Sequence, residues 1–158
     1  MRTELSLRAR ALQYLARREY SRAELHGKLL KYVQGDADAG LHDAQSQAVE
    51  LDALLDDLAA RGWLSDDRAA TQLIHAKRDR FGTQRITHEL RQKGIDESLI
   101  SDALPQLKES ELEAARAVWQ KKFGKPPQDA KEKARQARFL QSRGFSLDAI
   151  FKVLRFDD

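Results

Sequence analysis

A short phrase recurs four times along the chain, as Leu15-Ala-Arg-Arg-Glu-Tyr20-Ser21, Leu58-Ala-Ala-Arg-Gly62-Trp63-Leu-Ser65, Leu90-Arg-Gln-Lys-Gly94-Ile95-Asp96 and Leu140-Gln-Ser-Arg-Gly144-Phe145-Ser146. Each copy encodes a helix stop followed by a helix start. A basic residue in the last turn (Arg18, Arg61, Lys93, Arg143) complements the negative helix end, and Gly62, Gly94 and Gly144 can take the left-handed conformation that closes it. The apolar residue after the glycine folds back. Ser21, Ser65, Asp96 and Ser146 then cap the next helix, with Ser21 and Glu24 spaced as a capping box. The first copy has Glu19 where glycine is expected, which predicts a different turn there, because a left-handed Glu costs about 1 to 2 kcal/mol.

A lone helical hairpin cannot bury its apolar stripe, so four such phrases predict stacked copies sharing one core and presenting an elongated surface. Apolar periodicity predicts nine helices in three groups of three. The first spans about residues 5 to 18. Leu25, Leu29, Tyr32 and Val33 mark the second, and Val49, Leu51, Leu54, Leu55 and Leu58 the third, after an aperiodic loop at 34–43. A fourth helix follows Ser65 and is broken near Gly82; Thr83 is expected to cap a fifth, in which Arg85 and Glu89 form an i,i+4 pair. Asp96 opens a sixth that Pro105 closes, and Ser110 with Glu113 would cap a seventh ending at Phe123-Gly124. Helices over about 128–143 and 146–155 complete the set. The expected repeats are 1–62, 63–107 and 108–158, and the fold class is all-α.

Zero cysteines in 158 residues exclude disulfides and thiolate metal sites. No apolar run approaches the ~20 residues of a membrane span, and no secretory signal is evident, so a cytoplasmic location is expected. Net charge is only +3 but unevenly distributed. Residues 8–31 carry seven Lys/Arg against two acids, 36–67 nine acids against one Arg, 74–93 six basic against two acidic, and 115–143 nine basic against two acidic. Such alternation suits a body that touches both a polyanion and a protein.

Catalysis has little to stand on. His26, His42, His75 and His88 lack metal-ligand spacing, Asp66-Asp67 fits a helix first turn, and neither Phe81-Gly82 nor Phe123-Gly124 belongs to a phosphate-cradling loop. No enzyme activity, metal or cofactor is expected. Trp63, Trp119, Phe81 and Phe123 beside helix ends are read as core plugs in preference to base-stacking platforms. The nucleic-acid signal is the run Lys77, Arg78 and Arg80 with Arg85, Arg91 and Lys93, together with Lys121, Lys122, Lys125, Lys131, Lys133, Arg135 and Arg138. Separate cations of this kind bind phosphates in a salt-sensitive, sequence-tolerant way. A helix-turn-helix reading, with 21–33 as a recognition helix, remains an alternative.

Taken in order, these segments resemble the RecX family of bacterial regulators of the RecA recombinase. The resemblance rests on Gly62-Trp63-Leu64-Ser65-Asp66-Asp67-Arg68, Arg78, and Phe81-Gly82-x-x-Arg85-Ile86-x-x-Glu89-Leu90-x-x-Lys93-Gly94-Ile95. Tyr20-Ser21-x-x-Glu24-Leu25-x-x-Lys28-Leu29 and Lys133 with Phe139-Leu140-x-x-Arg143-Gly144-Phe145 flank them. Ala69 departs from the pattern, which usually has a bulky aromatic there. The resemblance implies three tandem three-helix repeats in a curved, right-handed-type array, binding along the RecA filament on DNA, and inhibition of strand exchange and the RecA ATPase in DNA repair and recombination. The expected partners are thus the RecA filament and single- or double-stranded DNA without sequence preference, for a monomer that engages no membrane. The residues expected to make these contacts are Arg78, Arg80, Arg85, Arg91, Lys93, Lys121, Lys122, Lys125 and Arg138, and the alternative is a sequence-specific repressor.

Overall fold

The computed structural model describes residues 5–33 and 41–155, and these are helical without a strand. Eight helices follow in order: α1 (Leu7–Arg17), α2 (Arg22–Val33), α3 (Leu41–Ala60), α4 (Asp66–Lys77), α5 (Thr83–Gln92), α6 (Glu97–Lys122), α7 (Ala130–Ser142) and α8 (Leu147–Leu154). Most of the expected 34–43 loop lies outside the described residues, but α3 already begins at Leu41, earlier than its apolar periodicity signals. No Gly or Pro lies between Leu41 and Arg61 to interrupt the helix.

The recurring phrase folds as its chemistry requires. Gly62, Gly94 and Gly144 have φ of 76°, 74° and 88°. At the end of α3, Trp63 N–H donates to the Leu58 carbonyl and Gly62 N–H to that of Ala59, both at 3.0 Å, the paired bonds that close a helix through a left-handed glycine. At the end of α7, Phe145 and Gly144 repeat them on Leu140 and Gln141. In the glycine-less first copy Arg18 is extended, with φ −165° and ψ 175°, and among the described residues no non-glycine takes a positive φ. The left-handed strain at Glu19 is thereby avoided. Ser21 and Glu24 form the reciprocal capping box at 3.1 Å each way, and Ser65, Asp96 and Ser146 accept from the N–H groups of Arg68, Ser98 and Ala149.

Three expectations fail. Pro105 does not end a helix: α6 runs 26 residues straight through it, merging the expected sixth and seventh helices. Proline removes the N–H that would bond Ser101, but both residues are exposed, so water can satisfy the freed carbonyl. Meanwhile Ile100, Leu107, Glu111, Ala114, Ala115 and Trp119 form a continuous buried stripe across the site. Ser110 is consequently not a cap; mid-helix, its hydroxyl donates back to the carbonyls of Gln106 and Leu107. Nor does Thr83 cap α5. Its Oγ1 is buried without a hydrogen-bond partner, and its N–H goes to the carboxylate of Glu111 at 3.2 Å.

The described residues pack as two compact units. The first comprises residues up to 70 with the turn 93–95. Its core joins Ala11, Tyr20, Leu25, Leu29, Leu51, Leu55, Leu58 and Leu64 from α1, α2, α3 and the turns beside them. Each fully buried Leu contributes about 1.5 to 3 kcal/mol of transfer free energy. Into this unit the 93–95 turn docks on the start of α2: the buried Ser21 hydroxyl donates to the Lys93 carbonyl at 2.6 Å, and a methyl on Gly94 would lie 2.6 Å from the Ala23 Cβ. Lys93 Nζ and Arg18 both reach Glu24, at 3.1 and 2.9 Å.

The second unit comprises 71–92 and 96–158, described to residue 155. Ala114, Ala115, Trp119, Leu140, Phe145, Ile150 and Val153 from α6, α7, α8 and the turn between the last two form its principal cluster. Trp119 is the core plug expected of it: its indole N–H donates to the buried Gln136 at 2.8 Å, and Gln136 in turn donates to the Lys125 carbonyl and Glu132. The polar atoms of the Trp119 and Gln136 side chains thus all find partners.

Candidate nucleic-acid interface

The candidate surface of the second unit is built on a backbone joint. Gly82 N–H donates to the Arg143 carbonyl at 2.8 Å and Gln84 N–H to that of Gly144 at 3.2 Å. A Cβ on Gly82 would collide with the Gly144 peptide, and one on Gly144 with Arg85. Glycine at both positions lets the start of α5 press against the α7–α8 turn. Behind the joint sits Glu111, only 8% exposed. Its Oε1 accepts from the N–H groups of Thr83 (3.2 Å) and Ser146 (3.1 Å), and its Oε2 from the Ser146 hydroxyl (3.3 Å). One carboxylate therefore serves the N-terminal ends of α5 and α8 together, where the helix dipoles favour negative charge.

Because the two turns meet, the residues beside the glycines converge. The half-buried Phe81 ring has four cations around its centre: Arg85 at 4.5 Å, Arg143 at 5.4 Å, and Lys77 and Arg80 at 5.7 Å. Arg143 also lies 5.2 Å from the Phe139 ring, which Lys122 approaches at 5.3 Å. Phe139 meets Phe123 edge to face at 5.5 Å, and Arg135 lies 5.2 Å from Phe123. The result is a strip of alternating aromatic and cationic groups running from Phe81 to Phe123. Each guanidinium or ammonium near a ring gains about 0.5 to 1 kcal/mol at an exposed site, and an Arg laid on a ring keeps its in-plane N–H donors for an oxyanion. Ring faces and phosphate donors side by side are what a sequence-tolerant, single-strand nucleic-acid surface requires.

The nine residues expected from sequence divide over this geometry. Arg80, Arg85 and Lys122 lie in the strip. Arg85 also reaches the Ser142 carbonyl at 3.4 Å and Glu89 at 3.7 Å, the expected i,i+4 pair. Lys121, Lys125 and Arg138 are exposed, on α6, the α6–α7 connection and α7, and Arg78 is exposed beside Ser110 and Glu113 of α6. Arg91 forms a two-point pair with Glu97 (2.6 and 3.3 Å), which holds the Glu97 carboxyl below its ordinary pKa and raises that of Arg91. Lys93 belongs to the other unit, where it is bound to Glu24.

Burial works against charge on Glu24, but hydrogen bonds from Arg18, the Ser21 N–H and Lys93 overcome it and hold its pKa down at about 2. Lys93 and Glu24 therefore form a structural pair.

Two residues that organise the site do not stand out as such in the sequence. Arg143 registers in sequence as a helix-end cation and as part of the motif that carries the resemblance, but its bridging position between Phe81 and Phe139 depends on the joint. Glu111 gives no local signal at all, its partners lying 28 and 35 residues away. Trp63 corrects an expectation: it is 45% exposed while Leu64 takes the core position, and Arg61 lies 5.2 Å from its ring. Among the described residues no group of three or more His, Asp or Glu is placed to hold a metal ion, and no helix is long and apolar enough to cross a membrane.

Comparison with known proteins matches the family models "RecX, second three-helix domain" at residues 65–104 and "RecX, third three-helix domain" at residues 109–154. A regulatory protein RecX from Leptothrix cholodnii is 48% identical over 157 residues, covering 99% of this chain and 92% of the relative. One from Chromobacterium violaceum is 45% identical over 149 residues, covering 94% and 89%. The fold is shared with the crystal structure of RecX from Lactobacillus salivarius, with a TM-score of 0.71 at 19% identity over 95% of this chain and 93% of that one. The crystal structure of another regulatory protein RecX gives 0.70 at 22% identity, covering 96% and 72%. The all-helical architecture is thus one of tandem helical repeats, and the chain belongs to the RecX family of regulatory proteins.

Proposed function

We propose that this protein binds the RecA–DNA filament and inhibits the recombinase and its ATPase during DNA repair and recombination, acting as a cytoplasmic monomer without catalysis of its own. The observation that carries the reading is the Phe81–Arg143–Phe139–Phe123 strip within a chain related over nearly its whole length to regulatory RecX proteins. Cations at Arg80, Arg85, Arg143 and Lys122 take the DNA backbone; Phe81 and Phe123, expected as core plugs, are half-buried, with Phe123 and Phe139 packed against the core, and only the parts of these rings left exposed are offered to bases. Arg78, Lys121, Lys125 and Arg138 extend the positive surface, while the acidic stretch 36–67 is directed to protein. Inhibition follows if this surface binds one filament state more tightly than another, since a ligand shifts an equilibrium only by its differential affinity. The expected three-repeat division at 63 and 108 is retained as the repeat unit of this surface.

Co-sedimentation with RecA filaments on single-stranded DNA tests the reading. Recovery in the pellet that falls steeply with salt is the expected result; a folded chain that stays in the supernatant at low salt would refute it.

The alternative, a repressor reading DNA through α2, fits less well. Arg22, its natural reading residue, is paired with Asp56 at 2.8 Å and donates to the Asp52 carbonyl, and the N-terminus of α2 is covered by the 93–95 turn. A sequence-specific footprint abolished by Arg22→Ala and Lys31→Ala would revive it.

A further inference from the structure

On the first unit, α1 presents Arg10, Gln13, Tyr14 and Arg17 at the i, i+3, i+4, i+7 spacing of one helix face, and with Tyr32 of α2 they line a cleft of about 180 Å³. Charge pairing along α1 and its C-cap residue Arg18 is selective. Arg8 is paired with Asp57 at 2.7 Å and Arg18 with Glu24 at 2.9 Å, whereas Arg10 and Arg17, both lining the cleft, have no carboxylate partner among the described residues. The Arg10 guanidinium lies 3.8 Å from the centre of the Tyr32 ring and the Lys31 ammonium 5.2 Å. A guanidinium stacked on a ring keeps its in-plane donors for a two-point bond to an oxyanion. The Tyr32 phenol is held below its ordinary pKa by a hydrogen bond with Tyr14, against the effect of burial, and by the charges of Lys31 and Arg10. With Arg10 and Arg17 in its lining, Lys31 beside it and no carboxylate among its lining residues, the cleft is a region of positive potential. Tyr32 remains 40% exposed, which leaves ring surface beside the cations.

We propose that this cleft is a second nucleic-acid contact, in which Arg10 and Arg17 hold a phosphodiester group of an unpaired strand and Tyr32 carries an adjacent base. An acidic peptide needs only the charges; the juxtaposed ring surface favours a nucleic acid, whose repeating phosphate and base use both. None of the nine residues expected from sequence lies here. The inference shares the nucleic-acid part of the function proposed above but does not depend on RecA.

The test uses the full chain without RecA, and fluorescence anisotropy of a labelled oligothymidylate over a range of salt. The double variant Arg10→Gln, Arg17→Gln is expected to bind about tenfold more weakly and to lower the log–log salt slope by about 1 to 2. Tyr32→Ala is expected to weaken binding about tenfold with the slope unchanged. Inorganic phosphate should displace the ring resonances of Tyr14 and Tyr32. Arg17→Gln alone, at an exposed position, keeps the test available if the double variant unfolds. Folded variants with unchanged affinity and slope would overturn the proposal, as would a wild-type chain that fails to bind the oligonucleotide. Phosphate-induced shifts with oligonucleotide binding untouched would reduce the cleft to an adventitious anion site and overturn it equally. Loss of RecA regulation with oligonucleotide binding intact would count against the proposed function alone.

Discussion

Gly82 and Gly144, 62 positions apart in the sequence, lie backbone against backbone, with no room for a methyl group on Gly82. The contact converts two ordinary helix turns into a joint, and the joint gathers Phe81, Arg85 and Arg143 into one surface. Gly82→Ala must displace peptide groups, not the end of a flexible side chain. We expect a loss of about 3 kcal/mol, on the order of 10 °C in Tm by thermal denaturation. Gly27→Ala, at a helical glycine whose Cβ would meet open space, should instead be neutral or slightly stabilising.

Glu111 supplies the polar half of the same joint. Glu111→Ala strands the Thr83 and Ser146 N–H groups in a buried setting and should cost about 2 to 4 kcal/mol in urea unfolding; Glu111→Gln, which keeps one acceptor oxygen, should cost less. Equal losses for the two variants would mean that the carboxylate charge carries the contribution and that neither the side-chain volume nor a single retained acceptor does.

The depressed pKa of Glu24 makes a prediction about acid. Its folded value of about 2 lies below the ordinary 4.5, so the carboxylate binds fewer protons folded than unfolded. The stability it contributes is therefore fully present above pH 4.5 and lost as pH falls toward 2. Glu24→Gln should flatten the urea-midpoint-against-pH curve in that window while lowering stability at neutral pH; an unchanged acid limb would contradict the assignment.

The same geometry separates two residues that look alike in sequence. Lys93→Ala should destabilise the first unit, by about 1 to 2 kcal/mol, since it removes a half-buried partner of Glu24. Arg78→Ala should leave stability within about 0.5 kcal/mol of wild type and weaken only binding of single-stranded DNA. Denaturation and anisotropy measured on both variants check the contrast.

That contrast marks where sequence reading runs out. The stop-and-start phrases are written in local chemistry, so the glycine turns, the serine and aspartate caps and the apolar residues Leu58, Leu90 and Leu140 were all legible in one dimension. Pro105 misled because the rule that proline ends helices yields when the flanking apolar stripe is continuous and the freed carbonyl faces water. At the site, charge was legible but pairing was not: nothing near Lys93 in the chain announces Glu24, 69 residues away, and nothing near Arg143 announces Phe81. A cation's availability depends on its spatial neighbours, and those are set by the fold.

The most direct check is the rate of ATP hydrolysis by RecA on single-stranded DNA, titrated with the wild-type chain and with a Phe81→Ala, Arg143→Ala variant shown to be folded. Inhibition by the wild type, with at least tenfold more of the variant needed for the same effect, is the predicted result. Equal potency of the two, or no inhibition by the wild type at any concentration, would contradict a filament regulator acting through the aromatic and cationic strip.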